Sequence, residues 1–280
     1  MIDHRSVSII TVTRNRPVSL RKCLGRTRAV LPEAVKLIVF DDASDNAAEI
    51  QAIVESHPNA VYLRSEQMLG PAGGRNACLR AATTTFCLSL DDDCYLESVP
   101  DLTRWLVNRE EDRDIAVVGF RCYNQSDGTC VPLTLLSGPA KGLPGGASLL
   151  RRDAVLRAGG YLDMLTFACE DTELAMRLQR LDYRVWYDAN VIVNHDHSNE
   201  SRDEHWASFH YVRNTLLINA IYGGRITGIP VGILRALRRG WTSASPGQTW
   251  PGIVAGLRLA SRHLQTRHEL FAPERRHIRP

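Results

Sequence analysis

The sequence predicts an α/β fold, a Rossmann-like mixed sheet flanked by helices, with a helical C-terminal extension. Three observations carry this prediction. Through the first 120 residues, β-branched apolar runs alternate with stretches of helical periodicity, the pattern of parallel strands joined by right-handed crossovers. Each of the first strands runs into a polar turn, and two of those turns are acidic. Beyond residue 201 the apolar spacing is helical throughout.

Taken in order, residues 7–12 form a strand that ends in Thr13-Arg14-Asn15-Arg16-Pro17, and Leu20, Cys23 and Leu24 mark the helix after it. Residues 37–40 form the second strand, ending at Asp41-Asp42, and Ile50, Ile53 and Val54 line the next helix. A third strand covers 60–63, a helix opened by small residues covers 71–82, and a buried strand over 86–90 ends in Asp91-Asp92-Asp93. Turns that follow parallel strands lie along one edge, so Thr13-Arg14, Asp41-Asp42 and the acidic triplet converge on one cleft. The middle is less regular. A strand over 115–122 leads through the hairpin turn Asn124-Gln125-Ser126-Asp127-Gly128 to a strand over 129–136, and a Gly- and Pro-rich loop follows over 137–146. A short helix over 152–158 ends at Gly159-Gly160, and an amphipathic helix over 170–181 carries Leu174, Leu178 and Leu181 on one face. Short strands over 185–187 and 191–193 lead to His195-Asp196-His197. Helices over 202–222, 229–239 and 253–264 complete the pattern, with Gly223-Gly224 and residues 243–252 as linkers. The expected organisation is 1–222, in halves 1–122 and 123–222, followed by the extension 223–280.

Composition excludes several classes. With 44% hydrophobic and 23% charged residues over 280 positions, the chain reads as a soluble globular protein rather than a disordered one. Its net charge of +3 is too small to make nucleic acid the main partner. The basic residues are concentrated, however: ten arginines lie between 225 and 280 against Glu269 and Glu274. Either this end meets an anionic surface such as a membrane, or it is a solvated basic face. Seven scattered cysteines without a CxxC pair indicate neither a zinc site nor a disulfide framework, and fit a reducing cytosol. A strand begins almost at once, leaving no room for a signal peptide. No run of 18 apolar residues occurs, so no spanning helix is expected. The expected location is the cytoplasm, with peripheral contact at the cytoplasmic membrane face.

The acidic triplet is the strongest chemical signal. Three like charges at a strand end repel one another unless a cation sits among them, and Mg²⁺ or Mn²⁺ suits oxygen ligands beside a diphosphate. The alternative is a solvated acidic turn.

Five motifs in order, Val7-Ser8-Ile9-Ile10-Thr11-Val12-Thr13-Arg14-Asn15, Val39-Phe40-Asp41-Asp42-Ala43-Ser44, Gly70-Pro71-Ala72-Gly73-Gly74-Arg75-Asn76, Asp91-Asp92-Asp93 and Cys169-Glu170-Asp171-Thr172-Glu173-Leu174, resemble a family 2 glycosyltransferase of the GT-A fold, over roughly residues 6–222. The resemblance implies inverting transfer of a sugar from a nucleotide-diphospho-sugar to an acceptor hydroxyl, with Mn²⁺ or Mg²⁺ on the diphosphate. Residues 1–122 are then the nucleotide-binding half and 123–222 the acceptor half. It also implies that Asp93 is a metal ligand, that Asp91 serves metal or ribose, and that Thr13, Arg14 and Asp42 surround the base, with Asp92 on the nucleotide-sugar; Arg75, following a small-residue loop at a helix start, is placed to contact its phosphate or ribose. Asp42 could otherwise cap the helix near Ala47, and Arg75 could form a surface ion pair. Asp171 takes the role of base and Glu170 contacts the acceptor, unless both simply cap their helix. Rhamnosyl- and galactofuranosyl-type relatives carry a metal-binding histidine at the position of His195, for which His197 competes. Gly145-Gly146-Ala147 matches the acceptor-side turn of the family, or is a hinge.

Arg14 stands where many relatives have an aromatic or small residue, and the third motif lacks an early Asn, which leaves the donor open. A UDP- or dTDP-linked donor is the expectation, and a glycan, a lipid-linked saccharide or a secondary metabolite the acceptor. A GT-A-like nucleotidyltransferase would need a lysine after a Gly-rich loop, and only Lys22, Lys36 and Lys141 exist. A non-catalytic nucleotide-sugar-binding protein is the other alternative.

Overall fold

The computed structural model describes residues 6–99, 101–131, 135–143, 146–197, 200 and 203–263. Gly145, the arginines at 267, 275, 276 and 279, Glu269 and Glu274 lie outside the described residues, as do parts of the expected strand over 129–136 and of the loop after it. The chain separates into two compact units, Met1–Tyr161 with Leu174–Ser201, and Leu162–Glu173 with Arg202–Pro280.

The first unit contains the sheet. Its elements are β1 (Val7–Thr13), α1 (Pro17–Val30), β2 (Lys36–Asp42), α2 (Ala47–Glu55), β3 (Ala60–Ser65), α3 (Gly70–Ala81), β4 (Phe86–Asp91), β5 (Cys94–Ser98), α4 (Leu102–Glu111), β6 (Ile115–Asn124), β7 (Cys130–Val131), β8 (Gly138–Pro139), β9 (Ala147–Arg151), α5 (Arg152–Arg157), most of α6 (Glu170–Arg180) and β10 (Arg184–His195). The strand order is β3-β2-β1-β4-β9-β6-β10-β5, with β7 on β6 and β8 on β10. Strands β1 to β4 pair in parallel, whereas β9 runs antiparallel to both β4 and β6, so the sheet is mixed.

Side chains alternate across the sheet, as a period of two requires. Ile9, Leu37, Val39 and Leu88 face one layer with Leu20 and Leu24 of α1, Ile50 of α2 and Trp105 of α4. Ile10, Ile38, Phe40 and Cys87 face the other, with Cys78 and Leu79 of α3, Val155 of α5 and Leu174 and Leu178 of α6.

One topological fact places the site. Strands β4 and β5 stand four positions apart in the pairing order, about 19 Å in a flat sheet at ~4.8 Å per strand. Only Asp92 and Asp93 join them, a link that reaches about 10 Å. The sheet must therefore curl, and the triplet lies at the corner where its edge returns to its centre.

Several elements depart from the sequence reading. β5 and α4 were not apparent, because the acidic triplet hides a short strand behind it. The two short strands expected near 185–193 are one strand, whose register on β6 shifts between Asp188 and Ile192. The polar Asp188-Ala189-Asn190 is an irregularity inside it rather than a break: Asp188 accepts from Trp105 Nε1 at 2.8 Å and from the Asn190 amide at 3.0 Å, which satisfies the displaced backbone. The hairpin at Asn124-Gly128 is present, with Cys122 opposite Val131.

The second unit is helical: the first turn of α6, α7 (Glu204–Gly223), α8 (Ile229–Trp241) and α9 (Thr249–His263), with a 3₁₀ turn at Pro246–Gln248. Asp203 caps α7 by accepting from the Trp206 amide at 2.9 Å. Gly223-Gly224, expected as a linker, is a tight reversal. Gly224 has φ 75°, a π-helical turn covers Gly224–Gly228, and Gly232 of α8 packs against Leu216 and Asn219 of α7. Against the expectation of no spanning helix, the helical run Glu204–Trp241 is long and apolar enough, by length and composition, to cross a membrane. The reversal folds that run back on itself, however, and half of its most apolar window is buried.

Buried His210 of α7 lies beside Trp206, at 4.3 Å between ring centroids, and its Nδ1 has no hydrogen-bond partner among the described residues. Burial, with Arg213 adding to it, lowers its pKa to about 4. The unfolded chain therefore takes up a proton near pH 6.5 that the folded chain refuses until about 4. Stability is expected to fall by roughly 3 kcal/mol as pH drops through that window. Urea unfolding of wild type and His210→Gln at pH 7 and pH 4.5 checks this, the variant showing the smaller loss.

Candidate active site

The site in the first unit begins with strand ends. β4 closes with Asp91, and β5 opens with Cys94 in antiparallel register with His195 of β10. That register brings residues 93 and 195 together: His195 Nε2 lies 3.3 Å from Asp93 Oδ1. Single ligand atoms of Asp93, Cys94 and His195 lie within 4.8 Å of one another, close enough to share one ion. His197, the competing histidine, stacks on His195 at 3.8 Å between centroids, and its Nε2 meets Asn124 Oδ1 at 2.8 Å. His195 is thus the histidine at the carboxylate cluster.

Arg16, at the end of the β1 turn, reaches Asp92 Oδ1 at 2.5 Å and Asp93 Oδ2 at 2.8 Å. Thr13 Oγ1 donates to Asp92 Oδ2 at 2.7 Å. Burial pushes the Asp92 carboxyl up to about 7 against the pull of Arg16, and the charge on Asp93 pushes the same way. Burial also opposes ionisation of Asp93, but the hydrogen bond from His195 and the charge of Arg16 outweigh it and hold its pKa low. Of the two adjacent buried carboxyls, Asp93 is the one that carries the charge. Burial would lower His195, yet the hydrogen bond to Asp93, with help from Cys122 and Asp91, raises it to about 10.

Asp91 turns elsewhere. Its Oδ1 pairs with Arg75 of α3 at 2.5 Å, and Arg75 lies over the Tyr161 ring at 5.4 Å. Arg75 is therefore a buried residue within α3 rather than a surface one. Gly146 accepts from the Asp91 amide at 2.8 Å, and Ala147 pairs with Leu90 at the start of β9. Gly146 has φ +93°, and a Cβ there would stand 2.6 Å from Cys94 Sγ. Gly146→Ala is expected to destabilise the protein by about 1–3 kcal/mol through backbone strain and this overlap, read as a lowered Tm.

Around the β2 end, Asp42 accepts from the amides of Leu69 at 2.6 Å and Gly70 at 2.9 Å. It caps α3 rather than the helix near Ala47, and retains acceptor capacity. Asp41 is a structural partner, held by Tyr62 at 2.6 Å, Arg64 at 2.7 Å and the Ser44 amide. Exposed Arg14 reaches Met68 Sδ at 2.8 Å.

The second unit holds the other motif. Glu170 and Asp171 open α6, where the helix dipole favours carboxylates. Glu170 is buried and Asp171 half-buried. Before them, Ala168 and Cys169 have φ of 64° and 69°, a left-handed pair that side chains rarely adopt. Asn214 of α7 holds this turn by donating to Phe167 O at 2.6 Å and Ala168 O at 2.8 Å. Tyr222 donates to Glu173 at 2.8 Å.

Sequence reasoning missed Arg16, Cys94 and Asn214. Arg16 lay in a turn read for Thr13 and Arg14, Cys94 was read only as one of seven scattered cysteines, and Asn214 sits unmarked within a helix.

A family model described as glycosyl transferase family 2 matches residues 8–157. The pre-mycofactocin glycosyltransferase of Mycobacterium tuberculosis is 28% identical over 276 residues, covering 91% of this chain and 51% of the relative. The chain thus spans about half the length of the curated relatives it matches. Among solved structures, the mannosyltransferase PcManGT of Pyrobaculum calidifontis in complex with GDP-Man and Mn²⁺ aligns with TM-score 0.62 at 18% identity, over 98% of this chain and 84% of the other. GalNAc-T7 with UDP, GalNAc and Mn²⁺ aligns with TM-score 0.60 at 15% identity, over 90% and 57%. TarS 1–349 of S. aureus in complex with UDP-GlcNAc aligns at 0.57 and 16%, over 95% and 83%. With that match covering more than half of its length, and with the GT-A fold beneath it, the chain belongs to glycosyl transferase family 2.

Proposed function

We propose that the protein is a metal-dependent inverting glycosyltransferase, moving a sugar from a nucleotide-diphospho-sugar to an acceptor hydroxyl. The meeting of Asp93 and His195, 3.3 Å apart at a sheet corner, supports this most directly. A charged carboxylate beside a histidine that would release its proton on binding is a donor set that suits Mn²⁺ or Mg²⁺, with Mn²⁺ favoured by the nitrogen. Asp93 and His195 would hold the cation, with Asp91 assisting. Bound there, the cation would stabilise negative charge on the departing diphosphate.

The chain's own groups supply the rest. Thr13, Arg14 and Asp42 form the base and ribose side, and Asp92 keeps the β1 turn docked through Thr13 and Arg16. Arg75 orients Asp91. Asp171 takes the acceptor proton as the inverted bond forms, and Glu170, Gly146 and Ala147 belong to acceptor recognition.

The preferred donor is UDP- or dTDP-linked, and GDP-mannose belongs in the screen because the Pyrobaculum calidifontis neighbour was solved in complex with GDP-Man. Pre-mycofactocin, named in the mycobacterial relative, joins glycans, lipid-linked saccharides and secondary metabolites as acceptors to assay. The test measures thermal stabilisation by each nucleotide-sugar with Mn²⁺, then nucleoside diphosphate release with and without acceptor. Acceptor-dependent release is expected. Donor binding without release under any acceptor would point to a nucleotide-sugar-binding protein instead.

A further inference from the structure

We propose that the outward faces of α8 and α9 form a docking surface for an anionic lipid bilayer. In a helix packed on its neighbours, large apolar side chains ordinarily face inward. Here several do not. The buried positions of α8 are Gly232, Ala236 and Gly240, and those of α9 are Thr249, Gly252, Ile253, Gly256 and Ala260, so that glycine or alanine recurs every four residues in both. Gly252 packs on Val212, and Gly256 on Leu216, both of α7. Small residues thus let the backbones approach closely, in the manner of helices that associate in lipid.

Several large apolar side chains are left outside. Leu234 is 69% exposed, Trp241 85%, Trp250 66% and, in the turn before α8, Ile226 89%. Leu234, Leu237, Arg238, Trp241 and Thr242 line a shallow recess of about 340 Å³. Scattered apolar residues on a surface need no explanation, but two tryptophans and a leucine on helices whose inward faces are mostly glycine and alanine, Ile253 being the large exception, do.

Charge selects the occupant. Between Gly224 and His263 the sequence has six arginines and no acidic residue. Arg235 and Arg238 flank Leu234 and Trp241 along α8 and are exposed. Arginines beside exposed tryptophan and leucine match the layout of an interfacial helix, with apolar side chains in the acyl boundary and guanidinium groups at the phosphates. A second copy of this chain would instead bring arginines against arginines.

The test co-sediments the full chain with phosphatidylglycerol-containing vesicles and with pure phosphatidylcholine vesicles, at low and high salt. Binding to the anionic vesicles, weakened by salt, with little binding to the neutral ones, is expected. Arg235→Gln and Arg238→Gln should each weaken it about fivefold, and Trp241→Gln should weaken it while circular dichroism shows the fold retained. Absent binding, equal binding to both vesicles, or folded variants that bind like wild type would overturn the proposal. So would a dimer in sedimentation equilibrium that Trp241→Gln dissociates, since the face would then be a self-interface. The readout uses no donor, acceptor or cation, so its failure leaves the proposed activity standing.

Discussion

Asp93→Asn is expected to weaken Mn²⁺ binding severely and, with it, cation-dependent binding of nucleoside diphosphate. Asp93 carries the charge of the buried pair, and one of its oxygens faces His195. Losing a direct ligand should cost more than the 10–100-fold typical of residues that merely support one, so a weakening on the order of 100-fold or more is predicted. Asp92→Asn provides the contrast. Its carboxyl is already inclined to hold a proton near neutrality and faces Thr13 and Arg16. Mn²⁺ affinity in that variant should stay within about tenfold of wild type. Electron paramagnetic resonance titration of Mn²⁺ alone separates the two. Turnover that persists undiminished in EDTA would remove the metal from the reaction altogether.

Asp171→Asn is expected to lower turnover by ~100-fold or more while donor affinity stays near wild type, the signature of lost general-base assistance. The structure invests unusual backbone in this residue. Two left-handed residues precede its helix, and Asn214 fixes the turn with two hydrogen bonds. Such strain persists only where the surroundings enforce it, and it gathers at functional sites. Steady-state kinetics with direct donor titration make the measurement. A variant that bound donor poorly but turned over normally would move Asp171 from base to donor contact.

Much of the fold was legible because the parallel half obeys local rules. β1, β2 and β4 are apolar runs closed by polar turns, and their helices carry their own periodicity. The acidic triplet, the Glu170-Asp171 pair and His195 stood out because charge at a strand or helix end is chemically conspicuous. What stayed hidden depends on distant partners. Nothing local to Arg16 says that it will span two carboxylates 76 and 77 residues away. Cys94 reads as core until antiparallel pairing sets it opposite His195. The Gly223-Gly224 pair reads as a linker because the packing that makes it a reversal comes from Leu216 and Asn219.

The corner at Asp92-Asp93 also bears on the order in which the molecule assembles. β1, β2, β3 and β4 lie within the first 91 residues and pair among themselves, β2 with β3 and β1 with both β2 and β4, whereas among the described residues β5 pairs with β10, about a hundred residues later. Loops of that length close slowly, so the parallel half should form ahead of the corner. During synthesis the triplet would emerge early and wait, without its histidine, until β10 docks. A cation that requires both Asp93 and His195 would bind only the closed sheet, and by mass action would shift the balance away from forms in which β5 has come loose.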